Sequence, residues 1–154
     1  MRLVAPAFLV ACSQASPVSA PAPVPKPVAI EPVVEPDPAE RTALAAQIES
    51  GRQVFAEQCA SCHGDTGQGT DDGPSIAGKD ALPLEPRPGA KRTVQFRSGA
   101  DVYSFVVANM PADDPGTLTP EQYSAVVAFA LSANGIKLDK PFDAAVASLI
   151  VVHP

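Results

Sequence analysis

Two cysteines and a histidine stand together in the stretch Cys59-Ala60-Ser61-Cys62-His63. This Cys-x-x-Cys-His spacing is typical of the covalent attachment of a c-type haem. Each thiol can add to one vinyl group of the porphyrin and form a thioether, and the histidine then falls beneath the iron. Neutral Nε2 of His63 can bind that iron while its Nδ1–H donates to a nearby acceptor. The motif therefore predicts a site for haem c and its iron.

The same residues could instead belong to a zinc site or to a thioredoxin-like redox pair. A structural zinc site needs about four ligands. Beyond the motif, Cys12 and His153 are the only other cysteine and histidine in the chain. A redox pair normally follows a strand, whereas this pair follows a predicted helix. Haem attachment is therefore the favoured interpretation, and the single motif indicates one haem.

A second axial ligand for the iron can come from very few residues. One of the two methionines is the initiator, which leaves Met110. One of the two histidines is used by the motif, which leaves His153 near the chain end, where we expect an ordinary surface residue. Pro111 follows Met110 and suits a stiff loop that presents one side chain inward. A methionine that fills a gap in the core is the alternative.

We expect Met110 to bind the iron, because methionine–histidine ligation is a common haem arrangement that raises the reduction potential. An iron with six ligands has no free position for a substrate. This ligand set therefore favours electron transfer over catalysis.

Composition and charge describe one small acidic domain with appendages. The 154 residues contain no tryptophan, two tyrosines and six phenylalanines. A buried porphyrin would supply the large planar apolar body that the side chains lack. The formal net charge is −6 at pH 7, which argues against nucleic acid as a partner.

Residues 1–11 have the pattern of a lipoprotein-type signal peptide. Arg2 supplies a positive charge, and the apolar run from Leu3 to Ala11 is too short for a bilayer, which takes roughly 20 residues. The run ends in Leu9-Val10-Ala11-Cys12, which resembles the bacterial lipobox, so Cys12 is expected to carry a lipid. The alternative is an ordinary secretory signal cleaved after Val18-Ser19-Ala20.

The lipid-modified cysteine and a proline-rich linker are expected over residues 12–37. Seven prolines alternate there with small and apolar residues, which favours polyproline II over a packed core. Such a linker is a plain spacer, or a tether that lets an anchored domain swing between electron donor and acceptor.

A haem domain is predicted over residues 38–135. Its first helix should begin after Asp37 as N-cap, with one apolar face that includes Phe55. Gly51 lies inside this helix, where glycine costs roughly 0.8–1.0 kcal/mol relative to alanine. We expect that Gly51 and Phe55 meet the last helix near Val126 and Phe129, because glycine permits two backbones to cross closely.

Two further helices and a tail complete the predicted domain. Ser98 should cap a helix from Gly99 to about Asn109, with Asp101 three residues on, and Thr119 should cap the last helix with Gln122 as its capping-box partner. The glycine-rich loop 64–73 should be solvated, and a calcium loop is the weaker alternative. Residues 136–154 are expected to form a tail that packs on the domain.

Four of the eleven basic residues of this acidic chain cluster between positions 87 and 97. A solvated face is the general expectation for such a run. A contact with a haem propionate and a docking patch for an acidic partner are the functional alternatives. The cluster comprises Arg87, Lys91, Arg92 and Arg97.

Residues from about 39 to about 135 resemble the class I cytochromes c. The resemblance implies an all-α, small cytochrome c fold with three main helices around one covalently attached haem. It also implies that the carbonyl of Pro74 accepts the Nδ1–H of His63, and it supports Met110 as distal ligand. The matching features are the haem motif, Gly51 with Phe55, Gly73-Pro74-Ser75-Ile76, Met110-Pro111, and the helix Tyr123–Gly135 with Phe129.

The resemblance implies a one-electron carrier of the bacterial envelope rather than an enzyme. A periplasmic dehydrogenase or respiratory complex would be the donor, and an oxidase or a further cytochrome the acceptor. The protein would lie in the periplasm, anchored to a membrane through Cys12 or soluble. It can also be the cytochrome subunit of a dehydrogenase complex. The alternative function is a haem enzyme subunit or gas sensor in which Met110 is displaceable.

Overall fold

The structure, a computed structural model, describes residues 36–154. The predicted signal peptide, Cys12 and nearly all of the linker lie outside the described residues. The described chain contains the helices α1 (Pro38–Gln58), α2 (Ala60–His63), α3 (Gly99–Asn109), α4 (Pro120–Ala133) and α5 (Ala144–Ala147). Over this range the chain forms no strand, and one isolated antiparallel bridge pairs Ser98 with Val151. The predicted all-α fold with three main helices is confirmed.

The three main helices begin where the sequence predicts. The Asp37 carboxylate accepts a hydrogen bond from the N–H of Ala39 at 2.7 Å and caps α1. Ser98 and Asp101 form a complete capping box at the start of α3, and Thr119 and Gln122 form another at the start of α4. An N-cap typically contributes about 0.5–2 kcal/mol. None of the described helices has the length and apolar character needed to cross a membrane.

Helices α1 and α4 cross in direct backbone contact at Gly51. A Cβ atom built on Gly51 would lie 1.9 Å from the carbonyl oxygen of Ala125 and 2.9 Å from Cβ of Phe129. One turn further along α1, the buried ring of Phe55 has its centroid 5.4 Å from that of Phe129. The predicted meeting of Gly51 and Phe55 with the last helix is therefore confirmed, and Ala125 is its closest point.

The C-terminal segment packs on the helices through Phe142, which is 1% exposed. The side-chain amide of Gln47 donates to the carbonyl of Phe142 and accepts from its N–H, both at 2.7 Å. Nε2 of His153 donates to the carbonyl of Leu82 at 2.7 Å, and the His153 ring is half-buried. The expectation of an ordinary surface histidine is therefore wrong, because burial of the apolar tail holds the chain end against the domain.

Candidate haem site

The two thiols and the imidazole of the motif lie on a single helical turn. Cys59 lies between α1 and α2, as the C-cap of the first and the N-cap of the second. Its carbonyl accepts from the N–H of Cys62 at 3.2 Å and from that of His63 at 2.9 Å. Cys59 is half-buried and Cys62 is exposed, and both are free thiols. The turn thus offers two sulfur atoms for thioether bonds with the imidazole immediately beside them.

The His63 ring is oriented by a backbone carbonyl. Nδ1 of His63 lies 2.7 Å from the carbonyl oxygen of Pro74, so Nδ1–H donates to it. The neutral ring then keeps the lone pair of Nε2 for a metal ion. This distance fits the role that the cytochrome c resemblance implies for Pro74.

The loop between His63 and Pro74 folds tightly against the motif. A Cβ on Gly73 would lie 2.8 Å from the carbonyl oxygen of Cys62 and 3.2 Å from Nδ1 of His63, so glycine is what permits this approach. The Thr70 hydroxyl donates to the Cys62 carbonyl at 2.5 Å. The loop therefore holds the ring of His63 in place through its own backbone.

The chemistry of the donors disfavours the two alternatives to haem attachment. Burial, and then the nearby Cys62, raise the pKa of the Cys59 thiol to about 11. A redox pair needs a thiol whose pKa is lowered. Zinc would need further ligands, and across residues 36–154 no group of three or more histidine, cysteine and acidic side chains is placed to hold a metal ion.

Met110 stands at the C-terminal end of α3, on a different segment from the motif. Its N–H donates to the carbonyl of Val106 at 2.9 Å, and its own carbonyl accepts from the hydroxyl of Tyr123 at 2.8 Å. The side chain is half-buried, and the peptide bond to Pro111 is cis. Hydrogen bonds to both the N–H and the carbonyl of Met110 thus fix the backbone that carries its thioether side chain.

Apolar side chains close to these donors in sequence remain only partly buried although they pack against the core. Ala60 is next to Cys59, Ile76 lies two residues after Pro74, and Val106 lies one helical turn before Met110. A planar apolar group would cover such surface. The donor set and this partly open apolar surface together fit a porphyrin iron.

Arg92 is buried, although the sequence predicts a solvated face for the basic cluster to which it belongs. It is 7% exposed, and its guanidinium lies 3.9 Å from the ring centroid of Phe96. Burial lowers its pKa, although an arginine in a protein still keeps its charge. The guanidinium donates at 2.6–2.9 Å to the carbonyls of Pro83, Leu84, Glu85 and Val94.

The expectation of a solvated face is therefore wrong for Arg92. Its side chain is buried and hydrogen-bonds to the irregular backbone of residues 83–94. Arg87 is half-buried and donates to the Asp80 carbonyl and to the Ser75 hydroxyl. Lys91 and Arg97 remain exposed. The basic cluster is thus not one surface, because Arg87 and Arg92 donate to backbone carbonyls, whereas Lys91 and Arg97 are exposed.

Comparisons with known proteins identify the family to which the chain belongs. The profile of the family described as cytochrome c oxidase, cbb3-type, subunit III matches residues 46–129, more than half of the chain. The chain is also 32% identical over 93 residues to the thiosulfate dehydrogenase of Stutzerimonas stutzeri (strain A1501). This match covers 53% of this chain and 26% of that protein.

The fold of the chain is also similar to that of a solved structure. The crystal structure of the sulfane dehydrogenase SoxCD from Paracoccus pantotrophus superposes with a TM-score of 0.52 and 32% sequence identity. The match covers 68% of this chain and 52% of that chain. The chain thus spans about half or less of the length of the relatives that it matches.

The matched range contains the Cys-x-x-Cys-His motif, and the fold, the donor set and the relatives all indicate the same class of protein. The chain belongs to the cytochrome c family whose profile is named for subunit III of cbb3-type cytochrome c oxidase, as a small all-α electron-transfer domain with a covalently bound c-type haem.

Proposed function

We propose that this cytochrome is a one-electron carrier of the bacterial envelope. It would take electrons from a periplasmic dehydrogenase or respiratory complex and pass them to an oxidase or a further cytochrome. The observation that carries the proposal is the donor set: two free thiols on one turn, an imidazole whose Nδ1 is fixed by the Pro74 carbonyl, and a single methionine in the described domain.

Each of these residues has a distinct part in the proposed site. The sulfur atoms of Cys59 and Cys62 would form the thioether bonds, Nε2 of His63 would bind the iron, and Met110 would supply the sixth ligand. The bound haem iron supplies a reversible one-electron couple whose potential depends on ligands, burial and hydrogen bonding. The Pro74 carbonyl keeps the His63 ring in one orientation.

The hydrogen-bonded backbone at His63 and Met110 would suit an electron carrier. His63 leaves a helical turn whose N–H groups are hydrogen-bonded, and Met110 leaves a helix end fixed by Val106 and Tyr123. Because neither His63 nor Met110 would have to move when the charge of the iron changes, little reorganisation would accompany electron transfer. Docking with partners would be weak and small in area, as is usual for redox encounters.

The relatives support a dehydrogenase as the redox partner. Two of the proteins that the chain resembles are named as dehydrogenases, a thiosulfate dehydrogenase and a sulfane dehydrogenase. This cytochrome would therefore serve such an enzyme as a docking shuttle or as its cytochrome subunit. Co-purification with a dehydrogenase subunit would indicate the second arrangement.

The test is a redox titration of the purified holo-cytochrome combined with exposure to carbon monoxide. We expect a reversible uptake of one electron per haem and a reduced spectrum that carbon monoxide leaves unchanged, because Met110 occupies the sixth position. Rapid binding of carbon monoxide by the reduced wild-type protein would contradict the carrier. That result would favour a haem enzyme or gas sensor with a displaceable methionine.

We infer that the carrier is held at a membrane by a lipid on Cys12, and the lipobox-like stretch before Cys12 supports this. The change Cys12→Ser should move the holo-cytochrome from the membrane fraction to the soluble fraction of the envelope, whereas the neighbouring change Ser13→Ala should not. The measurement is the share of haem stain in each fraction. A Cys12→Ser protein that keeps the wild-type share on membranes would contradict the anchor and leave a different envelope location to be found.

A further inference from the structure

The hydroxyl of Tyr123 joins α4 to the loop that follows Met110. The ring is 3% exposed in the first turns of α4. Its hydroxyl donates to the carbonyl of Met110 at 2.8 Å and accepts from the N–H of Gly116 at 2.9 Å. One buried phenol thus holds both ends of the segment 110–116.

This segment has little else to fix it. The N–H of Asp114 donates to the carbonyl of Pro111 at 3.2 Å, and the hydroxyl of Thr117 donates to the carbonyl of Asp114 at 3.0 Å. These bonds join loop residues only to one another, and most of the loop is exposed. In the described chain, Tyr123 therefore supplies the side-chain hydrogen bonds that tie this loop to a helix.

The position of Tyr123 is itself well defined. The capping box of Thr119 and Gln122 fixes the start of α4, and the N–H of Tyr123 donates to the Thr119 carbonyl at 3.0 Å. Its ring lies in the continuous buried row of α4. The hydroxyl is thus presented to the loop from the buried face of α4.

We propose that Tyr123 is the positioning residue of the axial methionine. By binding the Met110 carbonyl, it fixes the backbone from which the thioether leaves and so sets how firmly the sulfur is held at the iron. The inference rests on Met110 being the ligand, as proposed above. The competing interpretation is a core tyrosine whose hydroxyl merely finds partners, as buried tyrosines usually do.

The change Tyr123→Phe separates these interpretations, because it removes only the hydroxyl. Tyr103→Phe is the matched control: the Tyr103 ring packs against Phe142, and its hydroxyl makes no hydrogen bond within residues 36–154. The readout is the affinity of the oxidised holo-cytochrome for imidazole, which must displace the methionine, followed through the methionine–iron charge-transfer band. Loss of one or two neutral hydrogen bonds corresponds to about a tenfold change in such an equilibrium.

We expect Tyr123→Phe to bind imidazole about tenfold more tightly than the wild type, and Tyr103→Phe to stay within about twofold. Equal affinities in the two variants would overturn the proposal, even if Tyr123→Phe melts at a lower temperature. If Tyr123→Phe does not accumulate, amide exchange in the wild-type protein gives the answer. The Gly116 amide should exchange more slowly than the Asp113 amide, and equal rates would overturn the proposal.

Met110→Ala distinguishes failure of this inference from failure of the ligand assignment. In Met110→Ala imidazole should bind tightly, and adding Tyr123→Phe should change the affinity no further, because the two residues act as a unit. If Met110→Ala binds imidazole as weakly as the wild type, the ligand assignment is wrong. If Met110→Ala binds it tightly while Tyr123→Phe behaves like the wild type, only the role of Tyr123 is wrong.

Discussion

Replacing Met110 by alanine should leave the haem covalently attached and take away its sixth ligand. Attachment depends on Cys59 and Cys62, which lie on another segment of the domain. The oxidised Met110→Ala protein should turn partly high-spin and lose the methionine–iron band, and its reduced form should bind carbon monoxide. The reduction potential should fall by on the order of 0.1 V or more, since axial ligands set haem potentials over a span of about 0.8 V.

The variant Met110→Leu controls for packing. Leucine nearly conserves the volume of methionine, so the packing contribution to its cost in stability should stay below about 1.5 kcal/mol. It still lacks the sulfur, and its spectra and potential should therefore match those of Met110→Ala. Low-spin spectra and an unchanged potential in both variants would remove Met110 from the site and restore the gap-filling interpretation.

Replacing Gly51 by alanine should strongly destabilise the cytochrome, although alanine favours a helix by roughly 0.8–1.0 kcal/mol over glycine. The added Cβ would lie 1.9 Å from the backbone oxygen of Ala125, which cannot turn aside as a side chain can. Helices α1 and α4 must then separate along their whole contact. Overpacking of a core costs about 1–3 kcal/mol and occasionally more, and a clash with backbone belongs at the upper end.

The measurement is the thermal unfolding of the purified holo-cytochrome, in which the melting temperature should fall by on the order of 10 °C. Ser50→Ala is the matched control, because Ser50 is the exposed neighbour of Gly51 on the same helix. It should leave the melting temperature unchanged or raise it slightly. A Gly51→Ala protein as stable as the wild type would show that the two helices do not cross at this point.

Features set by local chemistry could be predicted from the sequence. Asp37, Ser98 and Thr119 start helices because each can cap the first N–H groups, whatever the rest of the chain does. Gly51 was informative because it opposes local helix propensity, so only a tertiary contact explains it. The haem motif is local as well, since its three donors must lie on one turn.

Hydrogen bonds to carbonyls of irregular backbone could not be predicted from the sequence. The sequence around Arg92 indicates a solvated charge, because the carbonyls that enclose its guanidinium belong to a segment without periodicity. The hydrogen bond of His153 could not be predicted for a related reason: its partner is the carbonyl of Leu82, 71 positions away. Carbonyl groups have no sequence signature, so Pro74 as acceptor came from the resemblance, and the partners of the Tyr123 hydroxyl came only from the structure.

The most direct test of the whole account is the intact mass of the denatured protein, produced in a host with working cytochrome maturation. The wild-type chain is compared with the double variant Cys59→Ala/Cys62→Ala, so that any processing of the N-terminus cancels. We predict a difference of one haem plus the two substituted sulfur atoms, because thioether bonds survive denaturation. A difference that corresponds to the two sulfur atoms alone would contradict the covalent haem and, with it, the proposed electron carrier.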